Sequence, residues 1–86
     1  MSAVLSDRMF PIRKMKRLVS TADIGAEVRR GRKAAGLRQD DLAGIAGVGT
    51  RFLIELEAGK PTVRLDKVLA VLATLGIGLH VDGHDG

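Results

Sequence analysis

The stretch from Gln39 to Ala58, Q-D-D-L-A-G-I-A-G-V-G-T-R-F-L-I-E-L-E-A, limits the possible folds more than any other part of the chain. Leu42 and Ala46 stand four residues apart on one helical face, and Leu53 and Leu56 stand three apart on another. The stretch therefore holds two short helices, each with its own inner stripe. Val48 falls between them, where an apolar side chain plugs the angle. Gly47 precedes it, and glycine leaves a helix through the left-handed conformation without a Cβ penalty.

Ala43 supplies the small side chain that two closely approaching helices need. Helices joined at a steep angle by a turn of three or four residues form a helix-turn-helix. The competing reading is an ordinary helical hairpin in some other α-helical domain. Against it, all seven of these positions carry the residue type that the motif requires.

With 86 residues the chain makes one domain. A core of that size is marginal alone, so an oligomer is expected. There is no cysteine, hence no disulfide framework or thiolate metal site, which is compatible with a reducing cytoplasm. No apolar run approaches a membrane span, and the N-terminus lacks the apolar core of a signal peptide. The expectation is a soluble, cytoplasmic protein associated with the nucleoid.

Charge is unevenly placed. Residues 1–33 carry nine Lys/Arg against three Asp/Glu, whereas residues 34–86 carry five against seven. A basic face gains affinity for nucleic acid by releasing counterions from phosphates, and this asymmetry suits such a module. Taken by itself, such a charge balance more often marks a basic surface that is merely solvated.

The chain opens with a basic arm, residues 1–20, in which Arg8, Arg13, Lys14, Lys16 and Arg17 alternate irregularly with apolar residues and Pro11 interrupts any helix. Entry into a DNA minor groove, contact with a protein partner, and no contact at all stay open for it. The DNA-binding domain follows over 21–76. Ser20 and Thr21 are N-caps for its first helix, Ile24, Val28 and Ala35 trace the inner face, and Arg29, Arg30, Arg32 and Lys33 crowd the outside. Gly36 ends that helix and Leu37 turns inward. Asp40 and Asp41 occupy the first turn of the next helix, where negative charge offsets the dipole. After Ala58, Gly59-Lys60-Pro61-Thr62 is a stop and a turn. The last helix, Arg64 to Leu75, has too many apolar residues for one stripe. One of its sides should face the bundle and the other a second copy. In residues 77–86, Ile77, Leu79 and Val81 alternate with Gly78 and His80 as in a β-strand. A lone strand cannot satisfy its backbone, so pairing with its copy across a two-fold axis is expected; the alternative is a fraying tail.

The frame Gly36-Leu37-Arg38-Gln39-Asp40-Asp41-Leu42-Ala43-Gly44-Ile45-Ala46-Gly47-Val48-Gly49 resembles the lambda-repressor-like family of Xre or Cro/C1 type, whose members share G-L-x-Q-x-x-L-A-x-x-A-G-V-x. Within it, Arg51-Phe52, the Gly59-Lys60-Pro61-Thr62 segment and the terminal strand are most similar to the HipB-like antitoxins. The resemblance spans residues 24–81 and leaves the arm unexplained. It implies an all-α fold, a four-helix bundle whose short C-terminal β-strand pairs across a dimer. It also implies a repressor placing two recognition helices in successive major grooves about 34 Å apart. HipB-like proteins further bind and inhibit a HipA-like Ser/Thr kinase toxin and repress the operon they share. A stand-alone Xre-type regulator without a toxin is the alternative, and a protein-interaction module that has lost DNA binding is a third.

Carried over by position, the resemblance implies DNA base contacts from Gly49, Thr50, Arg51 and Glu55, and backbone contacts from Arg38, Gln39 and Lys60. The Gln39 amide donates to a phosphate that the helix N-terminus also faces. Arg38 departs from the family's usual Ser or Thr, losing a cap. Gly49 replaces a common Ser. Arg51 is suited to a bidentate contact with guanine. Glu55 either accepts from cytosine or pairs with Arg51 at i, i+4. Phe52 either covers a thymine methyl or packs beneath its helix, and Lys60 faces a phosphate or solvent. The dimer interface is assigned to Val68, Leu72, Ile77, Leu79 and Val81.

An enzymatic role finds little support. His80-x-Asp82-x-His84 has the spacing of ligands on one strand face, but two of the three lie in a glycine-rich tail, and no metal site is assigned. No nucleophile–base pair or phosphate loop is present, Gly47-Val48-Gly49 being the motif turn, so neither a cofactor nor an enzymatic activity is expected.

Overall fold

A computed structural model describes residues 17–81 and 83. Four helices follow one another: α1 Thr21–Ala34, α2 Gln39–Ala46, α3 Thr50–Glu57 and α4 Leu65–Thr74. Among the described residues no strand is formed. Residues 1–16 of the arm, with Asp82 and His84–Gly86 of the tail, lie outside the described residues.

Reciprocal caps open α1. The Ser20 hydroxyl accepts from the Asp23 amide at 3.2 Å, and the Asp23 carboxylate accepts from the Val19 amide at 2.9 Å. The first bond satisfies a donor that every helix start leaves orphaned, and the second ties the residue before the cap to the helix. At the other end Gly36 has φ +72°, and the Leu37 amide reaches back to the Arg32 carbonyl at 3.1 Å, which sends Leu37 into the bundle as its position indicates.

The inner face of α1 differs from the expected one. Its buried residues are Gly25, Val28 and Arg32, with Ile24 packed beside them, whereas Ala35 is exposed. Ala35 is the C-cap and lies past the packed part of the stripe. Arg32, expected on the outside with Arg29, Arg30 and Lys33, is turned inward.

The turn between α2 and α3 is built as expected. Gly47 has φ 74° and ψ 31°, and the Val48 amide closes on the Ala43 carbonyl at 3.0 Å. Ala43 is buried, and Val48 packs against the core of Val28, Leu42, Ala43, Leu53, Leu56, Val68, Val71 and Leu72. This core sits where α1 and α2 pack on α3 and α4 packs on α2. Removing roughly eight such side chains from water is the main favourable term in a domain this small.

On α4, Val68, Val71 and Leu72 are buried in the protomer's own core, while Leu65 and Leu69 are 66% and 46% exposed. The helix thus has two apolar sides, but Val68 and Leu72, assigned to a dimer interface, lie on the inner one. The expected strand is also not formed within the chain. Ile77 folds back onto the core with its amide 2.9 Å from the Leu72 carbonyl, and Gly78–Val81 is irregular and exposed. The four helices offer no open backbone edge for an extended segment to pair with, so no ladder forms among the described residues. No helix among the described residues is long and apolar enough to cross a membrane.

Candidate nucleic-acid interface

Gly49 is the extended N-cap of α3, and its missing side chain leaves the first turn without a side-chain cap. Thr50 and Arg51 follow, both exposed, with 88% of the Arg51 side chain in solvent. One turn on, Glu55 brings its two oxygens to two cations: Oε2 lies 3.5 Å from Arg51 Nε and Oε1 lies 3.3 Å from Lys60 Nζ. The Lys60 hydrogen bond, reinforced by Arg51, holds the Glu55 carboxyl below the usual carboxylate range. Of the two roles open to Glu55, the unbound protein adopts the pairing with Arg51. Phe52 is half-buried against the core, with Lys67 Nζ 5.7 Å from its ring centroid, the packing alternative rather than an outward position.

At the head of α2 the Arg38 side chain is 81% exposed. Its cap is recovered from the other direction, since the Asp41 carboxylate accepts the Arg38 amide at 3.0 Å. That hydrogen bond is the main cause of the lowered Asp41 pKa. The Arg38 guanidinium stands 3.5 Å from Asp41 and 3.9 Å from Asp40, so part of its charge is neutralised within the chain.

Gln39 has a different setting from the one its sequence position suggests. Its amide donates to Glu57 Oε1 at 3.2 Å. The same carboxylate takes a two-point contact from Arg32, Nε to Oε2 at 2.6 Å and Nη2 to Oε1 at 2.9 Å. Arg32 also donates from Nη1 to the Leu37 carbonyl at 2.9 Å. With 11% and 5% of their side chains exposed, Arg32 and Glu57 form a nearly dry ion pair joining α1, α3 and the α1–α2 loop. It borders a cleft of about 360 Å³, lined also by Arg29, Gln39, Ile54 and Ala58. Arg29 is exposed beside Gln39, a cation that the sequence placed only among a generally basic surface. One signal did point to Arg32: it is four residues beyond Val28 and seven beyond Gly25, on the buried stripe.

Arg51, Thr50 and Gly49 thus share the start of α3, Glu55 and Lys60 adjoin them, and Gln39 lies with Arg29 along the cleft. His80 of the tail is exposed; Asp82 and His84, which share its spacing and to which no metal site is assigned, lie outside the described residues.

A helix-turn-helix domain family model matches residues 23–81. The chain belongs to the helix-turn-helix family. Over 66 residues, 77% of its length and 87% of the relative's, it is 59% identical to an uncharacterized HTH-type transcriptional regulator, y4mF, of Sinorhizobium fredii (strain NBRC 101917 / NGR234). This helix-turn-helix protein is therefore an HTH-type transcriptional regulator of the Xre kind. Its fold is that of HipB. It superposes with a TM-score of 0.73 on HipB in a complex with an O4 20mer and in a HipA–HipB–O2–O3 complex, each 16% identical and covering 80% of this chain and 97% of the other.

Proposed function

We propose that the protein is a homodimeric, sequence-specific repressor that acts as a HipB-like antitoxin, autoregulating its operon and neutralising a HipA-like Ser/Thr kinase. The observation that carries the DNA-reading part is the solvent-facing start of α3, where Arg51 is almost fully exposed on a helix otherwise anchored by Leu53 and Leu56. In this reading Gly49, Thr50, Arg51 and Glu55 face base edges, while Arg38, Gln39 and Lys60, joined by Arg29, hold the phosphates. Likeness to HipB in complexes with DNA and with HipA supports the antitoxin part. The second reading, a stand-alone repressor, is supported by the 59% identical relative, which is named an HTH-type transcriptional regulator. Affinity purification of the tagged protein from its host, with mass spectrometry of what co-purifies, separates them. A kinase recovered in near-equal amount establishes the antitoxin, and recovery of the protein with promoter DNA alone establishes the stand-alone repressor.

Arg51→Ala is expected to weaken operator binding by about 1–3 kcal/mol and to relax preference at one base pair, with thermal stability unchanged because the side chain is exposed. Fluorescence anisotropy on operator and random duplexes checks it. Equal loss on both duplexes contradicts base reading.

The dimer in this proposal uses the outer side of α4, Leu65 and Leu69, with the segment from Ile77 through Leu79 and Val81 pairing as a two-stranded ribbon across the two-fold axis. Leu65, Leu69, Leu79 and Val81, large apolar residues left in water, motivate it. A chain truncated after Gly76 is expected to sediment as a monomer at concentrations where the full chain is a dimer. An unchanged sedimentation coefficient per chain removes the ribbon from the interface.

A further inference from the structure

We propose that Ile54 is a specificity-determining residue that selects thymine through its C5-methyl group. The inference rests on α3 being the base-reading helix and assigns to that helix an apolar reader beside its polar ones.

The first observation is exposure. Ile54 is the one large apolar residue of α3 left in water, at 44%, whereas Leu53 and Leu56 are buried and Phe52 packs against the core. The second is register. Ile54 follows Thr50 by four residues and Arg51 by three, so it shares a helix face with both. The third is its surroundings. Ile54 lines the cleft of about 360 Å³ together with Arg29 and Gln39, the residues proposed to hold phosphates. It therefore adjoins both the side chains that meet the backbone and those that meet base edges.

The surface around Ile54 decides what it can accept. Arg32 and Glu57, the ionised members of the cleft wall nearest the core, satisfy each other, and Glu57 also accepts from Gln39. What is left beside Ile54 is aliphatic, continued by Ala58 four residues on. A polar base edge pressed against such a surface loses its water and gains no hydrogen bond, which is costly. In the major groove thymine alone presents an apolar group, the C5-methyl, while cytosine at the same place offers an amine and no methyl. Contact between Ile54 and that methyl removes two apolar groups from water together. The side chain thus favours thymine by attraction and opposes the other bases by unmatched desolvation.

The test starts from a duplex selected by the wild-type protein out of a random-sequence pool. Each thymine is replaced in turn, in both half-sites, by deoxyuridine, which lacks only the methyl, and fluorescence anisotropy reads the affinity. Wild type is expected to lose about three- to fivefold per half-site at one thymine position, the size expected for one methyl group withdrawn from an apolar contact. Ile54→Ala is expected to bind more weakly than wild type and to bind the thymine and uracil forms at that position within about 1.5-fold of each other, as coupling between side chain and methyl requires. Ile54→Val, which shortens the side chain by one carbon, should keep part of the discrimination. A wild-type protein indifferent to every thymine methyl overturns the proposal. So does a methyl effect as large in Ile54→Ala and Ile54→Val as in wild type. An effect that survives in Ile54→Ala and vanishes in Thr50→Ala gives the methyl to Thr50 and overturns it as well. Failure of the underlying reading shows separately, in the wild type alone: no preferred sequence emerges from the pool, and the role of Ile54 goes with it.

Discussion

Glu57→Ala is expected to cost about 3–5 kcal/mol of folding free energy, because removing one partner of a buried ion pair leaves the other charge uncompensated. Arg32 would keep only the Leu37 carbonyl as acceptor, with 11% of its side chain in contact with water. A domain of this size holds on the order of 5 kcal/mol in total, so the variant should be largely unfolded at 37 °C. Thermal unfolding followed by circular dichroism, at matched protein concentration because the proposed dimer would contribute to apparent stability, reads the effect directly. A melting temperature within about 3 °C of wild type would show that water reaches the pair and solvates Arg32.

The pair is also a device for placing Gln39. Glu57 Oε1 accepts from both Arg32 and the Gln39 amide, so the side chain proposed to meet a phosphate is held by the same carboxylate that ties α1 to α3. A double replacement, Arg32→Met with Glu57→Leu, separates the two roles. Buried ion pairs exchanged for apolar residues of similar volume are often neutral or stabilising. The double variant is therefore expected to recover most of the stability lost by Glu57→Ala. Its Gln39 amide is left without an acceptor, and affinity for any duplex should fall while folding is restored.

Residue types at fixed spacing made the motif legible. Gly47, Val48, Ala43 and the Leu pair on α3 each have one conformational or steric task, and each task is visible in composition and period alone. The glycine stop at Gly36 and the caps around Ser20 belong to the same class. What escaped was whatever depended on a partner distant in sequence. Arg32 carries a charge, and charge normally points outward; only Glu57, 25 residues later, makes its inward position tolerable. Val68 and Leu72 have the right character for either side of α4, and the angle at which α4 meets α2 decides which side is the core. The alternation of Ile77, Leu79 and Val81 is real in the sequence, but a strand is a property of two segments, and among the described residues no second segment pairs with it. At the proposed recognition face the sequence supplied the positions of Thr50, Arg51 and Glu55, and the structure added that Lys60 and Arg51 divide one carboxylate between them.

Gly25 gives the sharpest case of a local rule reversed by packing. In an isolated helix, alanine is favoured over glycine by about 1 kcal/mol, and Gly25 lies inside α1 with nothing in the sequence to mark it as special. In the bundle it is buried where α1 crosses the end of α3. A Cβ built there would overlap the Leu56 carbonyl oxygen and lie 3.1 Å from the Glu57 carbonyl oxygen. Both obstacles are backbone, so no rotamer change relieves them; α1 and α3 must move apart. That displacement would also stretch the contact between Arg32 and Glu57, which bridges the same two helices. Overpacking of this kind costs about 1–3 kcal/mol, occasionally more, and exceeds the propensity gained. Gly25→Ala is therefore expected to lower the melting temperature by several degrees, up to about 10 °C, in a domain of this length. Gly44→Ala is the matched control: this glycine is also helical and exposed, with no atom near its added Cβ, and the same substitution there should raise the melting temperature by a few degrees. Opposite signs at the two glycines would establish that close helix contact, rather than backbone freedom, selects glycine at position 25; a rise at both would mean that α1 and α3 sit farther apart in solution.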